Sequence, residues 1–486
     1  MKKLNLLILL VLVSSPVLFA GGLVTNTNQS VAWARTLTRY GTYGIDAVYF
    51  NPAGLSQLNN GFHFSLSNQT IIQTRQITSD YQFLSPTPQT YEADLMAPIF
   101  PSIYAAYKMD KWAFSGGFNI IGGGGTADFQ TGLPIFEVPV SSLVPILYNS
   151  LEPLDMSIED ATGWDPGYRN VTGYDMNAAF NGSSTYMGIQ VGATYAINDM
   201  ISVAIGGRYV MASNAYEGSL TGVTIDTYAG TMIPGDYLRR VAGNIESQSP
   251  ETAEELNATA LGIDAMTADA ELDAVQTGSG FAPIIGLNLH FSDMLNVAVK
   301  YEHHTKLELT NETVVDDVNM FPDGAKTRSD LPGMFAAGVQ VKPLKKLTAM
   351  VGLNYYLDKS AYYGNTDEGD DQINNESTID ENGYTISTSL EYKLLGMLGV
   401  SAGFSTGNNG VNQDYQSDLS YGLRNTSVGG GFFVNVGEML TINAGVVYAM
   451  YEDYDNAQTY DMLGTPYIDT YGKDTFIVAI GVDISF

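Results

Sequence analysis

The chain contains no cysteine, so neither a disulfide nor a thiolate metal site can hold it together. Positive charge is scarce: 22 Lys and Arg stand against 52 Asp and Glu, a formal charge of −30. A polyanion would be repelled, and no basic stripe is present, so nucleic acid is excluded as a partner. Histidine is scarcer still. Only His63, His290, His303 and His304 could serve as general bases, and no serine and acid are evidently arranged with them, so the sequence reads as that of a non-enzyme. The acidic run Asp367-Glu368-Gly369-Asp370-Asp371 does not match the spacing of an EF-hand calcium loop. It reads as solvated charge, and neither a metal nor a cofactor is expected. After the first twenty residues, no stretch approaches the roughly 20 apolar residues that a spanning helix needs. Any later membrane crossing must therefore use strands, closed into a barrel so that lipid meets no unpaired backbone.

What is present points the same way. Met1-Lys2-Lys3, the apolar stretch Leu4 to Leu12 and the small Ala20 before Gly21-Gly22 predict a secretory signal peptide over residues 1–20. Tyrosine (31) and glycine (51) are abundant, which suits aromatic belts and sheet bends better than a helical core.

The informative signal is period two. Phe476, Val478, Ile480, Val482, Ile484 and Phe486 form one apolar row, while Ala479, Gly481, Asp483 and Ser485 form a small or polar one. The pattern recurs from Leu347 to Leu357, from Leu440 to Met450 and from Leu295 to Tyr301. Lipid outside and a lumen inside require this alternation. It predicts fourteen strands, near 61–76, 99–109, 111–122, 183–196, 200–217, 280–292, 295–312, 331–343, 346–363, 383–394, 397–406, 424–436, 439–454 and 473–486. Their connections alternate in length. Short turns fall at Met109-Asp110, Asn198-Asp199, Ser292-Asp293-Met294, Leu344-Lys345, Gly396 and Gly437-Glu438. Long segments lie near 77–98, 123–182, 218–279, 313–330, 364–382, 407–423 and 455–472. The expected fold is thus an all-β, 14-stranded antiparallel transmembrane β-barrel over 61–486, in a bacterial outer membrane, with short periplasmic turns and long extracellular loops. The aromatic Phe486 that ends the last strand resembles the signal read by the barrel assembly machinery.

Residues 21–60 lack this alternation, and Gln29 to Tyr40 could form a short helix. Inside so wide a barrel the segment would serve as a plug. It contains Gly44-Ile45-Asp46-Ala47-Val48-Tyr49-Phe50-Asn51-Pro52-Ala53-Gly54-Leu55. With a signal peptide before it, fourteen strands behind it and an aromatic C-terminus, this chain resembles the FadL/OmpP1/TodX family, whose N-terminal hatch ends in an Asn-Pro-Ala segment. The resemblance implies a monomeric barrel with an internal hatch, set among outer-membrane lipid and lipopolysaccharide. It further implies passive transport of hydrophobic small molecules such as long-chain fatty acids or aromatic hydrocarbons. Pro52 fixes its own backbone and biases Asn51 to an extended form, while the Asn51 amide can satisfy backbone groups in the lumen.

Family members capture substrate between two large extracellular loops, here 123–182 and 218–279, and the second reads as helical around Ala253 to Leu256 and Ala265 to Leu272. Leu133, Ile135, Phe136, Leu143, Val144, Ile146 and Leu147 are apolar residues in the first loop, placed for a binding groove or for packing between the loops. A substrate carboxylate would need a basic residue in the lumen, for which Arg208 and Lys300 lie on the inward phase; Lys300 shares that phase with Glu302, so an ion pair competes with ligand contact. In the family an inward kink in the third strand opens the wall sideways. Gly116-Gly117 in mid-strand is the predicted kink, with Gly122 to Gly125 as the alternative. An adhesin or receptor, or an open diffusion porin, is the competing reading.

Overall fold

A computed structural model describes residues 25–365 and 378–486. The signal peptide expected over residues 1–20 and the acidic run at 367–371 lie outside the described residues. The chain forms a closed antiparallel barrel of fourteen strands. They are β1 (Gly61–Ser79), β2 (Gln89–Met109), β3 (Trp112–Phe129), β4 (Val171–Ala196), β5 (Ile201–Thr227), β6 (Ala270–Ser292) and β7 (Leu295–Glu302 with Glu308–Asp316). Then follow β8 (Lys326–Ser329 with Met334–Leu344), β9 (Leu347–Tyr356 with Tyr363–Asn365), β10 (Tyr384–Lys393) and β11 (Leu398–Asn408). The last three are β12 (Asn425–Val436), β13 (Leu440–Tyr451 with Tyr454–Tyr460) and β14 (Thr465–Ser485). Closure is made by β14 on β1, in unbroken register from His63 opposite Ser485 to Ser79 opposite Asp469.

The two-residue pattern sorts the side chains as expected. On β14, Ile480 is 62% exposed while its neighbour Ala479 is 2% exposed. Aromatic pairs mark the lower rim of this outward apolar band, with Phe62 against Tyr107 at 4.4 Å and Trp112 against Tyr195 at 4.6 Å. Tyr301 against Phe335 at 4.7 Å marks the upper rim. On β1 the outward row runs from Phe62 to Ile72, which faces Phe476 of β14, about the 9–11 residues that a tilted strand needs to span a bilayer.

Several strands run well past that band. β2 has 21 residues, twice the expected length, and β5 has 27. At about 3.3 Å per residue, β2 alone reaches roughly 70 Å. The extra length is on the loop side, where lipid no longer wets one face and the apolar alternation that marks a strand in sequence disappears. The loops carry their own helices: α3 (Pro134–Ser141) and α4 (Leu143–Thr162) between β3 and β4, and α5 (Pro234–Ile245) and α6 (Pro250–Thr267) between β5 and β6. Helix α6 covers the expected helical residues 253–256, but Ala270 to Leu272, read as helix, begin β6 instead.

Inside the barrel, the segment before β1 folds into helix α1 (Val31–Thr36), a helical turn α2 (Ala47–Phe50) and a 3-10 turn (Pro52–Gln57). Val31, Ala34 and Leu37 pack on Val447, Ile477 and Ala479 of β13 and β14. Barrel glycines allow the backbones to touch: a side chain at Gly403 would overlap the Thr36 carbonyl, and one at Gly338 would overlap Gly41.

Candidate functional site

The Asn-Pro-Ala segment is the bolt between hatch and wall. Asn51 is extended, with φ −158° and ψ 98°, as the proline after it demands. Its side chain caps the 3-10 turn by accepting from the Ala53 N–H at 3.3 Å and donates to the Leu287 carbonyl of β6 at 3.0 Å. The Pro52 carbonyl accepts from the Thr194 hydroxyl of β4 at 2.7 Å, and the Ala53 carbonyl from the Ser202 hydroxyl of β5 at 2.9 Å. Three consecutive residues therefore satisfy wall groups on three consecutive strands. Within the hatch, Asp46 accepts from the Ser30 hydroxyl at 2.9 Å and from Arg39 Nε and Nη2 at 2.8 and 2.9 Å, which braces the segment internally.

Arg208 and Lys300, expected to meet a substrate carboxylate, are committed to the protein. Both bond Glu302: Lys300 Nζ lies 3.1 Å from Oε2, and Arg208 pairs with Oε1. Lys300 also donates to the Tyr49 carbonyl of the hatch at 3.1 Å, and the Arg208 guanidinium lies 4.7 Å from the Tyr49 ring centre. Gln190 accepts from Arg208 and donates to the Val48 carbonyl. This is an ion-paired cluster joining β4, β5 and β7 to the hatch, and neither cation lines the lumen cavity. One carboxylate between two cations is what lets both be buried.

Above the hatch lies a cavity of about 450 Å³. Its floor is Thr25 to Asn28 with Trp33, its walls include Ile71, Leu95, Ala97, Phe129, Phe180, Tyr216, Val447 and Ile477, and Asp418 to Leu423 overhang it. Sequence reasoning treated 407–423 only as a long loop, although Leu419, Tyr421 and Leu423 gave it an apolar phase; Tyr421 stacks on Tyr471 at 4.9 Å. None of the seven apolar residues singled out in the first loop lines this cavity. Leu133 packs with Ile77, Tyr91, Phe129 and Phe180, and Ile135 and Phe136 lie against that cluster. Leu143 packs on Val140 and Val223, Leu147 joins Tyr237, Leu238 and Leu256, and Val144 lies against that group. Ile146 is half-buried. These side chains build the loop layer and bind the helical loops to each other.

The wall is broken at one place beside this cavity. β2 and β3 pair regularly only from Met109 opposite Trp112 to Ser102 opposite Asn119. Beyond that, β3 keeps β4 as its partner through two register shifts, between Ile120 and Gly122 and between Gly123 and Gly125. The hatch replaces β2 as its other neighbour. Asn26 N–H donates to the Ile121 carbonyl at 2.7 Å, and the Asn26 and Gln29 amides donate to Gly123 and Ile120, both at 2.9 Å. The kink is therefore at Gly122 to Gly125, and the prediction of Gly116-Gly117 is corrected: Gly116 and Gly117 sit in regular pairing opposite Ala105 and Tyr104. A Cβ at Gly117 would come 2.9 Å from the Tyr104 ring, so that glycine gives room for packing. Gly123 and Gly124 have φ of 61° and 111°, where side chains are disfavoured. Across the gap, Leu95 and Phe100 of β2 lie directly on Gly125 and Gly124. A sequence signal existed: Pro98 and Pro101 leave β2 without two ladder donors, and proline sits in sheets only at edges and bulges. The Pro98 carbonyl accepts side-chain bonds from Asn68 and Thr70, each at 3.1 Å.

No family model and no curated protein matches the sequence. Solved structures do match. A Pseudomonas aeruginosa FadL homologue aligns at 13% identity and a TM-score of 0.61, covering 96% of this chain and 100% of that one. The Pseudomonas putida toluene transporter TodX aligns at 13% identity and 0.54, over 96% and 100% of the two chains. The Ralstonia pickettii toluene transporter TbuX aligns at 14% identity and 0.51, over 95% and 99%. The chain has the fold of the FadL and TodX channels.

Proposed function

We propose that this protein is a passive outer-membrane transporter of hydrophobic small molecules, which enter the cavity beneath the loops and leave sideways between β2 and β3. One juxtaposition carries the reading: the cavity above the hatch includes Gly123 to Gly125 in its lining, so ligand space and wall break are continuous. A volume of about 450 Å³ is in the range of small-molecule sites. Leu95 and Phe100 act as the gate, since they fill the gap and are apolar on the side facing lipid and ligand alike. The toluene transporters of the same fold support a hydrophobic cargo. The hatch, bonded to the wall on several strands, keeps the lumen from conducting as a porin does.

The absence of native cysteine permits a direct test. A Leu95→Cys/Gly125→Cys pair places two thiols across the gap. Oxidation should stop uptake of labelled hydrophobic compounds by cells lacking the native protein, and reductant should restore it. Full uptake through the cross-linked barrel would overturn lateral release. Planar-bilayer conductance near that of an open porin would overturn the transporter reading itself.

A further inference from the structure

On the loop side of Phe476, beyond the lipid-facing band, three polar residues stand side by side at the seam where the last strand closes on the first. Asp469 of β14 is the register partner of both Ser79 of β1 and Asn456 of β13. All three face the interior and are buried, at 3%, 0% and 1% exposed. Opposed side chains of antiparallel strands have Cβ atoms about 4.5–5.5 Å apart, so oxygens on three such neighbours converge. Their hydrogen bonding is incomplete: among the described residues, Asp469 Oδ1, Asn456 Oδ1 and Ser79 Oγ each lack a partner in proper geometry. Buried polar atoms are nearly always satisfied, so three together call for a common partner. The charge is uncompensated as well. The charged groups that act on Asp469 are Asp418 and Asp80, both acids, and among the described residues none of the three is in an ion pair. Burial first, and then Asp418, raise the cost of the negative charge on Asp469. Asp418 itself is engaged, accepting from the Ile135 N–H at 2.7 Å and the Tyr471 hydroxyl at 3.0 Å. A water molecule would satisfy the free oxygens and leave the charge, and a proton on Asp469 would serve one acceptor only. A hard cation answers both deficits.

We infer that Asp469, Asn456 and Ser79 form the core of a calcium site, in which one ion joins β1, β13 and β14 above the membrane. Calcium takes oxygen ligands at about 2.3–2.6 Å in flexible geometry, which suits carboxylate, amide and hydroxyl oxygens spaced by a sheet; magnesium demands a tighter octahedron. Asp418 adds negative charge from beside the site, and water completes the coordination. Among the described residues no three acids or histidines converge, so a mixed set with one free carboxylate binds weakly, in the range of about 10⁻⁴–10⁻³ M seen for extracellular calcium modules. No calcium motif is legible because the ligands come from positions 79, 456 and 469. The inference is independent of what the barrel carries.

The full mature protein, refolded in detergent so that it carries no lipopolysaccharide and stripped with EDTA, is dialysed against radioactive calcium, and its thermal unfolding is followed as calcium is added. Saturable binding and a rise in unfolding temperature are expected, with a smaller rise from magnesium. Asp469→Asn should weaken binding at least about 10-fold and Asn456→Asp should tighten it by about the same factor, since affinity follows the charge of the ligands and both changes keep the side-chain size. Should Asp469→Asn not fold, Asn456→Asp decides, and no tightening there counts against the site. Binding that survives Asp469→Asn and is lost in Asp370→Asn/Asp371→Asn would move the ion to the acidic run and overturn the inference. Unfolding that ignores calcium in the parent, with Asp469→Asn as stable as the parent, would assign the carboxyl a proton instead and overturn it equally.

Discussion

The lumen has two halves built from the same strands, and they treat charge in opposite ways. In the hatch-filled half, Arg208 and Lys300 share Glu302 and are fully enclosed. In the cavity half, Arg75 and Lys473 stand opposite each other, neither in an ion pair among the described residues, while Asp358 and Asp418 line other parts of the same cavity. Both sets lie on the inward phase of their strands, so strand periodicity alone cannot tell them apart. The difference teaches that a lumen cation is structural where the hatch closes over it and available where the cavity leaves it open.

This contrast can be broken by substitution, because the lower half should govern stability and the upper half ligand choice. The largest effect is expected from Glu302→Gln, which leaves two buried cations unpaired and should cost about 3–5 kcal/mol. Denaturant unfolding of the refolded barrel measures it, and a loss under about 1 kcal/mol would erase the distinction between the halves. Asn51→Ala should cost about 1–2 kcal/mol by removing the cap and the side-chain bond to the Leu287 carbonyl. Hydrogen exchange across residues 47–57 should rise selectively; unchanged protection would mean that the hatch is held by other contacts.

In the cavity half the readout is transport. Gly124→Val places a Cβ 2.6 Å from Phe100 at a positive φ and should abolish uptake, whereas a Cβ at Gly116 meets nothing closer than 3.8 Å, so Gly116→Ala should leave uptake intact. The reverse result would return the kink to mid-strand. The smallest effect concerns Asp358, at the cavity wall after β9, whose carboxyl burial pushes up to about 6. A raised carboxyl means that the folded chain holds the proton more tightly than the unfolded one. Its contribution to stability is therefore complete below about pH 4 and is lost as pH rises through about 6. Asp358→Asn should flatten that part of the stability profile between pH 4 and 7, and an unchanged slope would assign it to other acids.

The gate residues show where sequence reading stops. Gly116-Gly117 and Gly122 to Gly125 are equally legible as glycines, and the choice between them was made by pairing with the hatch, through Asn26 and Gln29, about 90 residues away in the chain. Likewise Leu133 and Leu147 are plainly too apolar for solvated loop residues, but whether they meet ligand or each other depends on how α3 to α6 pack.

Alternation over the lipid-facing stretch and the unequal connections determined the barrel, its strand number and the inward row, because lipid imposes one rule on every strand independently of its neighbours. The Asn-Pro-Ala segment similarly announced a fixed local geometry, since proline restricts the residue before it wherever it stands. Strand length beyond the bilayer, the site of the wall break and the fate of each inward cation were decided only in three dimensions. Each depends on which surface lies opposite, and opposition across a lumen joins residues hundreds of positions apart, a relation that no local pattern encodes.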